Sequence, residues 1–142
     1  MRYLVSLGEG NDEDQDPTVA IGDPYVDVVY GPLVGAMALL VLRYLHASLP
    51  LRTDPVCTAE ELAAATASKP RRMAGPIRRL ARHRLIVVRR PGPPARLPAS
   101  GPPAEDDPST LILPPRLPLA SMRAVERLPP LARRVALEYL DR

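Results

Sequence analysis

The chain has 142 residues, a formal net charge of +3, 19 prolines, one cysteine, and neither phenylalanine nor tryptophan. This length fits one domain with short extensions, and the single cysteine excludes an internal disulfide. The core must be built from Leu, Val, Ala and Met, and the prolines exclude helix or central strand from long stretches.

Charge is distributed unevenly along the chain. Residues 1–32 hold one arginine and seven acids, whereas residues 69–90 hold one lysine and eight arginines with no acid. A block of one sign either repels itself into disorder or binds a polyanion. The asymmetry therefore predicts a nucleic-acid site accompanied by an acidic segment, although a solvated basic face or an acidic protein partner would also fit.

The first 31 residues are predicted to form an acidic, partly irregular segment. Residues 1–7 fit a short strand, and turn signals follow at 22–24 and 31–32. The acids interrupt the pattern of a signal peptide.

Three alternating acids in this segment, Asp12, Asp14 and Asp16, are spaced like the ligands of a calcium loop. Pro17 stands where such a loop requires glycine, so a solvated acidic loop is the preferred interpretation. We predict no metal and no cofactor.

An apolar helix is predicted after Pro32, which fits the first helical position. Residues 33–49 are apolar on nearly every face, a pattern typical of a helix buried on all sides. The most apolar run, 28–42, is shorter than the roughly 20 residues that span a bilayer. No membrane association is expected, and the predicted location is the cytoplasm.

Short elements follow this helix. Residues 55–57 fit a one-bridge strand, and Thr58 with Glu61 has the spacing of a capping box that begins a helix. Two β-like runs, 85–88 and 110–113, are separated by a proline-rich loop at 91–109. Cys57 is interpreted as a small core residue in preference to a redox sensor.

The order of helix, short strand, helix, turn, basic helix, strand, loop and strand resembles the winged helix-turn-helix domain, MarR-type bacterial regulators in particular. The segment LAAATASKPRRMAGPIRRLARHRLIVVRR, residues 62–90, carries the resemblance, which extends over roughly 32–114. It implies a mainly α fold with a small antiparallel sheet (α+β), preceded by the segment 1–31 and followed by C-terminal helices at 115–142.

The basic helix divides into two faces. At about 100° per residue, the apolar side chains of segment 71–84 fall on one side and its arginines on the other. A recognition helix needs this division because one side packs while the other enters a major groove about 12 Å wide. Arginines at 89, 90 and 96 fit the wing. The predicted DNA contacts are Lys69, Arg71, Arg72, Arg78, Arg79, Arg82, Arg89, Arg90 and Arg96.

Pro76 conflicts with a regular helix over this segment, since proline removes an N–H donor and clashes with the preceding turn. Either the helix kinks at Pro76, or it begins there and leaves Arg71 and Arg72 on a longer turn.

The C-terminal residues are predicted to form a short helix capped by Ser121 and a last helix opened by Pro129 and Pro130. Apolar side chains at 131, 135, 137 and 140 suggest that the last helix pairs with helix 33–45 of a second copy, giving a homodimer. The alternative is that both helices pack within their own domain.

The leading hypothesis is a sequence-specific, double-stranded DNA-binding protein acting as a bacterial transcription regulator. The alternatives are a plasmid or phage replication or excision factor, and an adaptor that uses the winged fold to grip an acidic protein. No nucleophile with its base, paired carboxylates or phosphate-cradling loop is visible, so an enzyme is not expected. The sequence does not identify an operator or an effector ligand.

Overall fold

The computed structural model describes residues 1–9, 16–90 and 108–142, and within them the fold is α+β, as predicted. The helices are α1 (Gly31–Val34), α2 (Ala36–Ser48), α3 (Ala59–Ala65), α4 (Ala74–Arg82), α5 (Met122–Val125) and α6 (Pro130–Leu140). The strands are β1 (Arg2–Leu7), β2 (Thr18–Val19), β3 (Val56–Thr58), β4 (Val87–Arg89), β5 (Ser109–Leu113) and β6 (Leu117–Pro118). A π-helical turn, Val26–Tyr30, runs into α1, and 3-10 turns occur at Leu49–Leu51 and Pro70–Arg72.

The main sheet is mixed, in the order β3-β1-β5-β4, so the prediction of an antiparallel sheet is wrong. Strand β1 pairs antiparallel with β3 but parallel with β5, with Tyr3 opposite Ser109 and Leu7 opposite Leu113. Strands β4 and β5 are antiparallel. Parallel neighbours need a long crossover, and here helices α1 to α4 supply it. A second, two-stranded sheet pairs β2 with β6.

Residues 17–32 are helical in part, although turn signals predicted irregular structure. The Asp23 carboxylate accepts the amide of Tyr25 at 2.9 Å, so the Gly-Asp-Pro sequence begins a helix. Tyr25 and Tyr30 are both buried. The Tyr25 hydroxyl accepts the Ala120 amide at 2.8 Å, and the Tyr30 hydroxyl donates to the Pro118 carbonyl.

The predicted apolar helix is interrupted at Gly35, whose φ of 88° separates α1 from α2. Most of the apolar side chains of α2, including Val41, Leu42 and Leu45, are buried within the domain, and Leu40 is exposed. This helix therefore packs inside its own chain. Among the described residues, no helix is long and apolar enough to cross a membrane.

Side chains from all three predicted segments, such as Tyr3, Leu42 and Ala136, belong to one hydrophobic cluster.

Helix α3 starts at its predicted cap and is fixed by a polar network. The Thr58 hydroxyl accepts the Glu61 amide at 3.0 Å, which confirms the cap. The Glu61 carboxylate does not complete a capping box. It accepts both terminal nitrogens of the Arg52 guanidinium and, at 2.5 Å, the hydroxyl of Tyr44. The network thus ties α3 to α2 and to the segment before β3.

The surroundings of this network shift the pKa values of two side chains. The Arg52 guanidinium lowers the pKa of Glu61 to about 2. Burial, reinforced by the Glu61 charge, raises the pKa of Cys57 to about 11. Cys57 is fully buried, which agrees with its interpretation as a core residue.

Helix α4 resolves the conflict at Pro76 without a kink. The helix begins at Ala74, so Pro76 lies in the first turn, where backbone amides have no intrahelical acceptor and a missing N–H costs little. Arg71 and Arg72 precede the helix on the 3-10 turn Pro70–Arg72, as the second alternative predicted, although the helix begins two residues before the predicted start at Pro76.

Helix α4 ends in a Schellman motif with arginine at the position that usually holds glycine. The Arg84 amide donates to the Ala81 carbonyl at 3.1 Å, and the Leu85 amide to the Leu80 carbonyl at 3.0 Å. The φ of Arg84 is 62°, in the left-handed region that costs a side chain about 1 kcal/mol.

The Glu61 network gives a prediction about stability and pH. Glu61→Gln should lower the free energy of unfolding at pH 7 by about 1–2 kcal/mol, discounted because the carboxylate is partly exposed. Since the folded pKa is depressed, the contribution is full above the ordinary value of 4.5 and is lost as the pH falls toward 2. Urea unfolding of the wild-type and Glu61→Gln proteins should show a difference in the free energy of unfolding that decreases from pH 7 to pH 3. Glu60→Gln, at the exposed neighbour, is the control. A difference that does not change with pH would contradict the assignment.

The strained backbone gives a second prediction. Arg84→Gly should raise the free energy of unfolding by about 1 kcal/mol, because glycine adopts the left-handed conformation without steric cost. Arg78→Gly makes the same chemical change inside α4 and should lower it by about 1 kcal/mol. Chemical denaturation measures both, and equal effects in the two variants would show that Arg84 is not strained.

Candidate nucleic-acid interface

The candidate interface is built on α3, the turn after it, and α4. Helix α3 ends at Ala65, and the buried Thr66 hydroxyl donates to the Leu62 carbonyl at 2.7 Å. The same hydroxyl lies 3.9 Å from the Met73 sulfur, at the start of α4. This contact joins the residue after α3 to the residue before α4.

The apolar face of α4 lies as predicted. Met73, Ile77 and Leu80 are buried, and Pro76 joins them. Because these positions pack against the core, the opposite face of the helix is exposed to solvent.

The predicted contact residues within the described part of the chain are all exposed. None of them forms an ion pair with a carboxylate of the described residues; the three ion pairs found there join other arginines to acids. These eight exposed basic side chains, called the basic surface below, are Lys69, Arg71, Arg72, Arg78, Arg79, Arg82, Arg89 and Arg90. Arg96 lies outside the described residues.

The basic surface has three parts. Lys69, Arg71 and Arg72 are on the turn that enters α4, three arginines are on the helix itself, and Arg89 and Arg90 are at the end of β4. Strand β4 pairs with β5, so the two β-like runs of the prediction form an antiparallel ladder. The polypeptide between them, from 91 to 107, lies outside the described residues.

Sequence reasoning missed a cleft of about 510 Å³ at the C-terminal end of α4. Three consecutive side chains, Arg82, His83 and Arg84, line it together with residues 118–122 and Leu140. Burial and, second, the Arg82 charge lower the pKa of His83, which favours its neutral form. No local pattern signals this cleft, because its walls come from distant parts of the chain.

The described residues contain no group of three His, Cys, Asp or Glu side chains placed to hold a metal ion. Asp12 and Asp14 of the calcium-like spacing are outside the described ranges.

Comparison with known proteins gives a similar fold but no family. No protein-family model matches the chain, and neither does any curated protein. Among solved structures, the chain is similar to the crystal structure of residues 1–300 of the primosome protein DnaB from Geobacillus stearothermophilus, with a TM-score of 0.59 and 19% sequence identity. The match covers 99% of this chain and 49% of the other, so the chain spans about half the length of that structure. The likeness extends to the fold alone.

Proposed function

We propose that this chain binds double-stranded DNA through the basic surface. The observation that carries the proposal is that eight basic side chains of one short segment are exposed and unpaired among the described residues. Elsewhere arginines such as Arg52 are paired with acids. Unpaired, solvated guanidinium groups can exchange water and counterions for phosphates, which is the main source of affinity for DNA.

In the proposed mode of binding, α4 lies in the major groove of a winged helix-turn-helix domain. Arg78, Arg79 and Arg82 reach base edges, where arginine can donate two hydrogen bonds to guanine. Lys69, Arg71 and Arg72 contact phosphates beside the groove, and Arg89 and Arg90 contact them from the strand pair. The turn position of Arg71 and Arg72 supports this division of roles.

Of the two DNA-binding roles that the sequence raises, we favour a replication factor. The solved structure of similar fold is named a primosome protein, which supports this class. The transcription-regulator role rests on the resemblance to MarR-type proteins alone. The proposal is for a binding protein and assigns no catalytic step.

A homodimer is part of the proposal, on grounds different from those of the sequence. Helix α2 packs in the core of its own chain, and Ala132, Val135 and Ala136 of α6 contact the same core. Leu131 and Leu137 remain exposed on α6. Their burial against a second copy would remove apolar surface from water.

Salt dependence tests the electrostatic basis of binding. Anisotropy of a labelled duplex should give a slope of log K against log salt of about −4 to −7, at about −0.9 per neutralised phosphate. Selection of bound fragments from random DNA then identifies the preferred sequence. A slope near zero would contradict the proposal.

Separate substitutions test the division of roles. Arg79→Ala and Arg82→Ala should reduce discrimination between preferred and random duplexes by about 1–3 kcal/mol for each lost base contact. Arg89→Ala and Arg90→Ala should weaken binding to both duplexes alike. If all four variants change specific and non-specific binding equally, α4 does not read the sequence.

Oligomeric state tests the dimer. Light scattering of the full chain should give the mass of two copies, and Leu137→Glu should give the mass of one. Leu51→Glu is the matched control, since Leu51 is also an exposed leucine but is not on α6. Truncation before α6 is unsuitable because it removes Ala132 and Ala136 from the core. A monomeric full chain would remove this part of the proposal.

A further inference from the structure

The cleft at the end of α4 combines fixed positive charge with apolar surface. Arg82 and Arg84 line it and are exposed, and neither forms an ion pair within the described residues. The backbone at Arg84 is held by the two hydrogen bonds of the Schellman motif, in a conformation that glycine would adopt more easily. Arginine therefore occupies a position where glycine would cost less stability.

The apolar part of the lining is open to solvent. Met122 is 53% exposed and Leu140 is 39% exposed, and both line the cleft with Leu119. Large apolar side chains that converge on a cleft beside charged groups are typical of a binding site for a mixed apolar and polar ligand. A volume of about 510 Å³ is enough for a few side chains of a peptide.

The lining fits a nucleic acid poorly. The Tyr30 ring is buried and its hydroxyl donates to the Pro118 carbonyl, so it offers no face on which a base could stack. The other aromatic ring of the lining, His83, is half-buried and lies edge-on to Tyr30, with 6.4 Å between the ring centroids. Apolar side chains at the cleft have no counterpart in a sugar-phosphate backbone.

We propose that this cleft binds an acidic peptide segment of a partner protein that carries an aliphatic side chain. The aliphatic group covers Met122 and Leu140, and the flanking carboxylates pair with the guanidinium groups of Arg82 and Arg84. Asp16 also lines the cleft, and its negative charge would repel the acids of the peptide. Those acids are therefore expected to lie beside the arginines and away from Asp16. This site is separate from the proposed DNA contacts except at Arg82.

The test begins with a random peptide library displayed on phage and selected against the full chain. Selected peptides should be enriched in Asp and Glu next to Leu, Ile or Met, and amide chemical shifts of residues 82–84, 119–122 and 140 should move when the best synthetic peptide is added. Selected peptides without acidic enrichment, or shifts elsewhere on the chain, would overturn the proposal.

Substitutions then locate the peptide by fluorescence anisotropy. Arg84→Glu and Met122→Ser should each weaken its binding about tenfold, whereas Asp16→Asn should tighten it about threefold by removing the opposing charge. Arg127→Glu, an exposed charge reversal that does not line the cleft, is the matched control. Arg84→Gly, which relieves the strained backbone, keeps the test interpretable if the charge reversal disturbs folding, and it should also weaken binding.

Duplex binding is measured on the same variants, so the two proposals fail separately. Unchanged peptide binding in Arg84→Glu, Arg84→Gly and Met122→Ser overturns the cleft proposal, whatever the result with DNA. Loss of duplex binding in Arg84→Gly, with unchanged peptide binding, assigns the cleft to nucleic acid and overturns it as well. Loss of peptide binding with retained duplex binding supports it.

Discussion

The parallel pairing of β1 with β5 is the contact on which the rest of the structure depends. It joins Tyr3–Leu7 to Ser109–Leu113, segments separated by about a hundred residues of chain, and brings Val5, Leu111 and Leu113 into one buried layer. Strand β5 also pairs with β4, which carries Arg89. The register of one central ladder therefore fixes where the strand pair stands relative to the helices packed on the sheet. Closing so long a loop costs chain entropy, and the burial of the core that the pairing creates has to offset this cost.

A second constraint is the position of the acidic residues that form ion pairs. Glu61 pairs with Arg52, Asp27 with Arg43, and Glu138 with Arg134, so the described ion pairs all lie outside residues 69–90. The bidentate pair of Arg52 and Glu61 is partly buried and serves to hold α3. The arginines of the basic surface remain in water, where an unpaired charge costs little. The same residue type thus stabilises the fold in one place and remains available to a partner in another.

The sequence predicts correctly those features that depend on residues close together in the chain. The cap at Thr58, the buried face of Met73, Ile77 and Leu80, and the start of α6 depend on neighbours a few residues away, and they follow from the sequence. The mixed sheet and the helical turn at Val26–Tyr30 depend on partners far along the chain, so composition and turn signals gave the wrong result. The cleft could not be predicted for the same reason, because its walls come from distant parts of the chain. The division into the segments 1–31, 32–114 and 115–142 remains a prediction.

Helix α4 is only nine residues long, yet both proposed surfaces include residues of it. Arg82 belongs to both: it is among the proposed base contacts, and it lines the cleft beside Arg84. A guanidinium group engaged by a carboxylate of a peptide is less available to DNA, and the acids of such a peptide would also repel nearby phosphates. Occupation of the cleft should therefore oppose DNA binding. By thermodynamic reciprocity, DNA should weaken the peptide by the same factor. Two partners that share one arginine at the end of a short helix therefore need no separate conformational switch to weaken each other's binding.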